Sequence, residues 1–361
     1  MNMPRRAALG AGVAALALTL GVTTLTAPAY SAEPSSNVHG AGTNEKGGKD
    51  DTGIYAAARI QYSGAVTHDG STGNVTSSDV NWTPPPCWYA PYLGAKDFKK
   101  KMSEQIESAK NTPGMGGTAG AAIGEMQQHY EDGYGWTDTP GYKDYNVDKD
   151  GEGMFWAAVE NPDEPDILKR SSCNDLPFWV ENGDAPPARY EEAVTPEILA
   201  ALAYQRMQLP DTKVTLAPEG TTKVNLPTWA WLDKAVFGEV QATAALDVPG
   251  FAVRATTTAK PVSLKLEPGT TDAETFPASG ECVFNADGSI GKPYAKGDAG
   301  TTPPCGIRYL RSSGDGVFKL RATITWKISW TGTGDTGDDL PDGTFGTTQD
   351  VTVKEIQAVV R

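Results

Sequence analysis

This 361-residue chain has only three histidines, His39, His68 and His129, and only four cysteines. So few histidines, together with cysteines that lack close-paired spacing, weigh against a zinc site. A Ser–His–Asp triad would depend on His68 or His129, because His39 falls in a polar N-terminal stretch, and no Gly-x-Ser-x-Gly elbow is present. The cysteines Cys87, Cys173, Cys282 and Cys305 lack the close pairing of a zinc ribbon. Positive charge is also short, with 31 Lys and Arg against 45 Asp and Glu and a formal net charge of −14. Such a chain repels phosphate backbones, which excludes nucleic acid as a partner. The glycine-rich run from Gly114 to Gly120 has no Lys-Ser or Lys-Thr in register for a P-loop and follows a helix-like stretch, so it reads as a flexible loop. Beyond residue 25 there is no second long apolar run.

That single apolar run is the most informative segment. Arg5 and Arg6 precede Ala7 to Leu25, and small residues follow around Ala27-Pro28-Ala29 and Ala29-Tyr30-Ser31. This is the pattern of a secretory signal peptide spanning residues 1–32, with cleavage between 29 and 33. An uncleaved anchor is the rival, but Gly10, Gly12, Thr19, Gly21, Thr23 and Thr24 dilute the run. The flanks of Arg5-Arg6 favour the general export route over the twin-arginine one. No cysteine lies near the cleavage region for a lipid anchor. The expectation is an extracellular, secreted product with no stable membrane span.

About 330 residues would remain, which suggests two domains. Residues 33–53 are polar and Gly-rich, too poor in apolar groups to offset their ordering entropy, and read as a disordered tether. Residues 54–209 form an expected α+β domain. Within it, residues 54–83 alternate weakly, enough for one or two strands, and residues 112–124 read as a Gly-rich loop. A helix is expected over 95–110, burying Phe98, Met102, Ile106 and Ala109. Another starts at Thr195-Pro196-Glu197 and buries Ile198, Leu199, Leu202 and Ala203. Residues 210–361 alternate with period two, most clearly from Ala322 to Trp330. Strands of that kind between Gly, Pro and Asp turns indicate an all-β, immunoglobulin-like sandwich. In an oxidising compartment four cysteines suggest two disulfides. Three connectivities are open. Cys87–Cys173 with Cys282–Cys305 is the simplest, adding ~4.6 and ~3.4 kcal/mol in the chain-entropy model. The second bridge would then staple a hairpin or loop rather than join two sheets.

Three groups of residues suggest chemistry. Asn146, Asp148 and Asp150 place oxygens at positions 1, 3 and 5 of a calcium loop with Gly151 at 6, but position 12 is Ala157 where a glutamate is needed. The competing reading is an acidic turn before a buried strand, and no cofactor is otherwise implied. Asp163, Glu164, Asp166, Asp184, Glu191 and Glu192 raise a glycosidase, which needs two opposed carboxylates, although no pair stands out. Trp82, Trp88, Trp136, Trp156 and Trp179 lie among Pro, Gly and Asp, where aromatic platforms for a ligand occur. Core packing is the alternative for each.

The run Trp82 to Pro91 (W-T-P-P-P-C-W-Y-A-P), with Leu226 to Asp233, Cys305 to Tyr309 and the Trp326–Trp330 strand, resembles a group of exported actinobacterial proteins. The resemblance implies export and a C-terminal β-sandwich; it implies no reaction and carries over no catalytic residues. The function these observations favour is a non-catalytic extracellular binding or surface-assembly protein, its partner an envelope or extracellular protein or a glycan. The alternative is a secreted hydrolase acting on polysaccharide or peptidoglycan through paired carboxylates.

Overall fold

The computed structural model describes residues 60–63, 72–79, 81–112, 118–136, 139–232, 238–298 and 300–356. The expected signal peptide and tether, with Arg5, Arg6, His39 and His68, lie outside them.

Strands β1 (Gln61–Ser63), β2 (Thr72–Asn74) and β3 (Thr76–Ser77) open the described chain. The triproline segment then leads into β4 (Cys87–Leu93), whose residues are almost all buried. Helix α1 (Ala95–Lys110) buries Ala95, Phe98, Met102 and Ile106, close to the expected stripe. Helix α2 (Thr118–Gln127) occupies part of the expected Gly-rich loop. Its alanines sustain helix despite Gly120 and Gly124, since each helical glycine costs only about 1 kcal/mol. Next come β5 (Gly153–Glu160), the short α3 (Ile167–Arg170), β6 (Phe178–Glu181) and α4 (Pro196–Gln205). Thr195 caps α4, its Oγ1 accepting from the Ile198 amide at 3.2 Å, with Pro196 in the first turn.

β7 (Gln208–Pro210), β8 (Thr215–Ala217), β9 (Thr221–Lys223) and β10 (Pro227–Leu232) precede the long hairpin β11 (Val240–Val248) and β12 (Phe251–Glu267). An excursion follows, with β13 (Ala273–Phe276), β14 (Glu281–Val283), β15 (Ile290–Gly291) and β16 (Gly306–Tyr309). The chain closes with β17 (Phe318–Gly332) and β18 (Thr336–Lys354).

The large sheet has the order β1-β11-β12-β17-β18-β3, with β14 also on β12 and β9 on β18. All its pairings are antiparallel except β9 with β18. Among the described residues, β11, β12, β17 and β18 form a meander, where an immunoglobulin-like sandwich uses Greek-key connections. One face is apolar. Val240, Ala242, Ala244 and Leu246 line up with Val253, Ala255 and Ala259, and with Leu320, Ala322, Ile324, Trp326 and Ile328, all buried. Helix α4 lies on this face, with Leu199 through Tyr204 buried almost all round, and Thr257 of β12 donates to the Ala200 carbonyl at 2.8 Å.

Strands from before residue 209, β1 and β3, join the sheet built after residue 210, and residues of both halves belong to one hydrophobic cluster. The expected boundary at 209/210 is therefore crossed by the packing. Both expected disulfides form, Cys87–Cys173 and Cys282–Cys305. Cys282 sits in β14 of the large sheet, while Cys305 directly precedes β16 of the five-stranded sheet. This bridge ties two sheets together, contrary to the hairpin-staple expectation, because β14 leaves the excursion to pair with β12.

Candidate aromatic binding site

The three-stranded sheet β4-β5-β6 is covered on both sides, and β5 divides its aromatics accordingly. Phe155 stacks on Phe98 of α1 with ring centroids 3.9 Å apart. Trp156 meets Phe251, at the start of β12, edge-on at 4.8 Å. Around Phe155 gather Tyr130, Tyr142 and Trp179.

This core extends to the surface through His129. Helix α2 ends in a turn of π-helix, Gln128–Asp132, and both His129 and Tyr130 are buried. Such turns recur at functional sites. Tyr130 is fixed by donating to the Pro177 carbonyl at 2.7 Å. Gly133 ends the turn with φ of 79°, a conformation that suits glycine. The chain then doubles back: the amides of Trp136 and Thr139 each bond the other's carbonyl, at 2.9 and 3.1 Å. Gly141 closes the loop. A Cβ there would come within 2.2 Å of the Gly133 backbone, so only glycine allows the two passes to touch.

The loop presents Tyr134, 60% exposed, and Trp136, 39% exposed. The Trp136 ring stacks on His129 at 4.3 Å and 13°, while Nδ1 of His129 lies 2.9 Å from the Tyr134 carbonyl. A buried imidazole thus backs an exposed indole. Arg189 hydrogen-bonds Thr139 at the far side of the loop and lies over the Tyr190 ring at 4.7 Å. Arg189 also approaches Asp175 at 3.9 Å, and Asp175 accepts from the Tyr89 hydroxyl at 3.1 Å. Burial pushes the Tyr89 phenol up to about 12, so it stays a neutral donor.

The other tryptophan candidates are placed differently. Trp88, Trp156 and Trp179 are buried, at 5%, 1% and 9% exposure, and their faces are taken by packing. They are corrected from platforms to core because β4, β5 and β6 are sandwiched. Trp82 is half-buried against Tyr204 at 4.8 Å. The structure therefore brings one of the five, Trp136, to the surface on a fixed support.

The calcium candidates form a different structure. Asp144, Tyr145 and Asn146 have φ of 47°, 58° and 54°, a left-handed run that L-residues adopt only when neighbours hold it. Buried Tyr145 donates to Glu131 at 3.2 Å, and Lys99 bonds Asp144 at 2.6 Å. Asp150 accepts from the Lys96 amide at 3.1 Å and pairs with its Nζ at 3.0 Å. It satisfies the start of α1, whose own N-cap, Gly94, has no side chain to do so. These bonds hold its carboxyl below the usual carboxylate range, the Lys96 amide contributing most. Asn146, Asp148 and Asp150 thus belong to a cap-and-turn, and among the described residues no three His, Cys, Asp or Glu side chains converge on a metal position. Of the acids raised for glycosidase chemistry, Asp163 pairs with Arg206 at 2.9 Å, Glu164 accepts from the Asp166 amide at 2.8 Å and Asp166 caps α3.

His129 makes stability depend on pH. Burial lowers its pKa below the ordinary histidine value, while the bond to Tyr134 opposes this more weakly. The unfolded chain therefore binds a proton first, near pH 6.5, and the folded state loses stability as pH falls through that value towards the lower folded pKa. Denaturant melts are expected to lose up to about 1.4 kcal/mol per pH unit in that window. His129→Asn should remove this slope; parallel profiles for both proteins would show that His129 is not its source. Among the described residues no helix is long and apolar enough to cross a membrane. Comparison of the chain with protein-family models, with curated proteins and with solved structures finds no match.

Proposed function

We propose that the chain is an exported, non-catalytic binding protein that recognises an extracellular or envelope glycan on the Trp136 platform. The observation that carries this reading is the exposed indole held flat on a buried histidine, beside exposed Tyr134 and above an aromatic core. The apolar C–H face of a pyranose stacks on such a ring, and the ring loses no freedom on binding because His129 already holds it. Arg189, tied to the same loop through Thr139, supplies hydrogen-bonding groups at the rim. Export is supported by the basic n-region with its apolar run, and by the two disulfides, which persist in oxidising compartments.

The test is a glycan array and a pull-down from cell envelope, using residues 33–361 and the Trp136→Ala variant. Wild type should retain a defined set of neutral or acidic glycans, and the variant should bind them about tenfold more weakly. Unchanged binding by Trp136→Ala, or turnover of a polysaccharide at wild-type rate by both proteins, would overturn the reading.

A further inference from the structure

The outward face of the large sheet is built unlike the rest of the surface. Thr243 of β11, Thr256 of β12 and Thr331 of β17 stand side by side in register; one position along are Gln241, Thr258 and Ser329. The hydroxyls of Thr243 and Thr256 are 2.7 Å apart. Along β12 the outward residues read Arg254, Thr256, Thr258 and Lys260; Lys327, opposite Lys260, is taken by Asp339 at 2.8 Å. At ~3.4 Å per residue this stripe is about 20 Å long.

At one end lies a shallow, open depression of ≈ 290 Å³ lined by Arg254, Thr256, Thr331, Gly332 and Thr333. Its walls are fixed: the Arg254 amide donates to Thr333 Oγ1 at 2.9 Å, and the Thr333 amide donates back to the Arg254 carbonyl at 2.9 Å. Six of the seven described arginines lie within 4.0 Å of a carboxylate. Arg254 forms no ion pair among the described residues, although the chain has a large excess of acids and Asp247 lies diagonally across the strand pair. The guanidinium is the group best shaped to grip a carboxylate with two parallel bonds, and here it stands beside hydroxyls that can serve sugar oxygens.

We propose that this face is a second binding site, for the carboxylate groups of a linear acidic glycan. Arg254 grips one carboxylate, the Thr256, Thr331 and Thr333 hydroxyls bond neighbouring sugar oxygens, and Lys260 meets a later carboxylate along the same stripe. The inference rests on the glycan-binding reading but not on the Trp136 platform. Charge complementarity here is local: among the described residues neither Arg254 nor Lys260 has a carboxylate within 4.0 Å, and a neutral glycan leaves Arg254 unpaired.

The experiment is surface plasmon resonance of the full chain on an immobilised oligogalacturonate, at low and moderate salt, with Arg254→Ala, Arg254→Lys, Lys260→Ala and Trp136→Ala. Arg254→Ala should weaken binding ~10–100-fold, the range expected for losing charge-assisted hydrogen bonds. Arg254→Lys should recover only part, because the two-pronged contact is gone. Arg254→Ala should weaken this binding more than Trp136→Ala does, and the reverse order would place the oligomer on the platform and overturn the proposal. Equal binding to the methyl-esterified oligomer, or no loss in Arg254→Ala, would overturn the proposal. Competition by inorganic phosphate as potent as by the oligomer would also overturn it, showing a bare anion site. Absence of oligogalacturonate binding alongside intact Trp136-dependent glycan retention would remove this site and leave the platform standing.

Discussion

Replacing Cys87 and Cys173 together by alanine should lower the unfolding free energy by ~4.6 kcal/mol, against ~3.4 kcal/mol for Cys282 and Cys305. The ranking follows from loop length, the bridged residues being separated by 86 positions in one case and 23 in the other. Freed from the first bridge, the unfolded chain regains the conformations of a segment that holds α1, α2, the π-turn and β5. The folded state also loses local contacts, since Cys87 Sγ accepts from the Cys173 amide at 3.0 Å and lies 3.3 Å from Ser172 Oγ. Alanine at both positions avoids leaving an unpaired thiol. Removing both bridges would take about 8 kcal/mol, a large part of the ~5–15 kcal/mol that ordinary domains possess, so the quadruple variant should be unfolded or nearly so. Guanidinium melts of the two double variants check this, and the reverse order of stability would overturn the loop-length account.

The same bridges show what sequence order can and cannot convey. Keeping each bridge within one expected domain made Cys87–Cys173 with Cys282–Cys305 the simplest of three pairings, and both bridges follow it. That Cys282–Cys305 joins two sheets depends on β14 pairing with β12, a long-range choice that no local pattern records. Strand β17 was legible because one face is buried throughout, which enforces strict alternation; β12 alternates likewise on either side of a bulge between Pro261 and Ser263. Strands β4 and β5 were not, since burial on both faces erases the alternation. The tryptophans divide on the same ground. Trp88, Trp156 and Trp179 lie inside short apolar runs (Cys-Trp-Tyr-Ala, Met-Phe-Trp-Ala, Phe-Trp-Val) that can form covered strands. Trp136 sits in Gly-Tyr-Gly-Trp-Thr-Asp-Thr-Pro-Gly, which can form only a turn. Flanking glycines were thus the signal that separates the exposed indole from the buried ones. Arg254 carried no such signal, because its lack of an ion pair among the described residues emerges only once the other arginines have found theirs.

Trp326→Ala should cost ~3–5 kcal/mol, the range for truncating a large buried aromatic. Trp326 is fully buried near the middle of β17, opposite Pro261 of β12 and Gly343 of β18. Gly343 has no side chain to expand into the vacated space. Its own missing Cβ position is already crowded, with Val75 Cγ2 at 2.3 Å and the Tyr204 hydroxyl at 3.0 Å. Val75 comes from between β2 and β3 and Tyr204 from α4, so the N-terminal segment, the helix and the long sheet meet beside this indole. A cavity there cannot close without moving all three, which places the cost at the upper part of the range. Trp326→Phe should cost much less than the alanine variant. It keeps most of the buried area and removes an indole N–H that has no hydrogen-bond partner among the described residues. Urea melts of the two variants measure the difference. A loss below about 1 kcal/mol for Trp326→Ala would mean that the three elements repack independently. A large loss with an unchanged m-value would confirm that they unfold as one unit around Trp326.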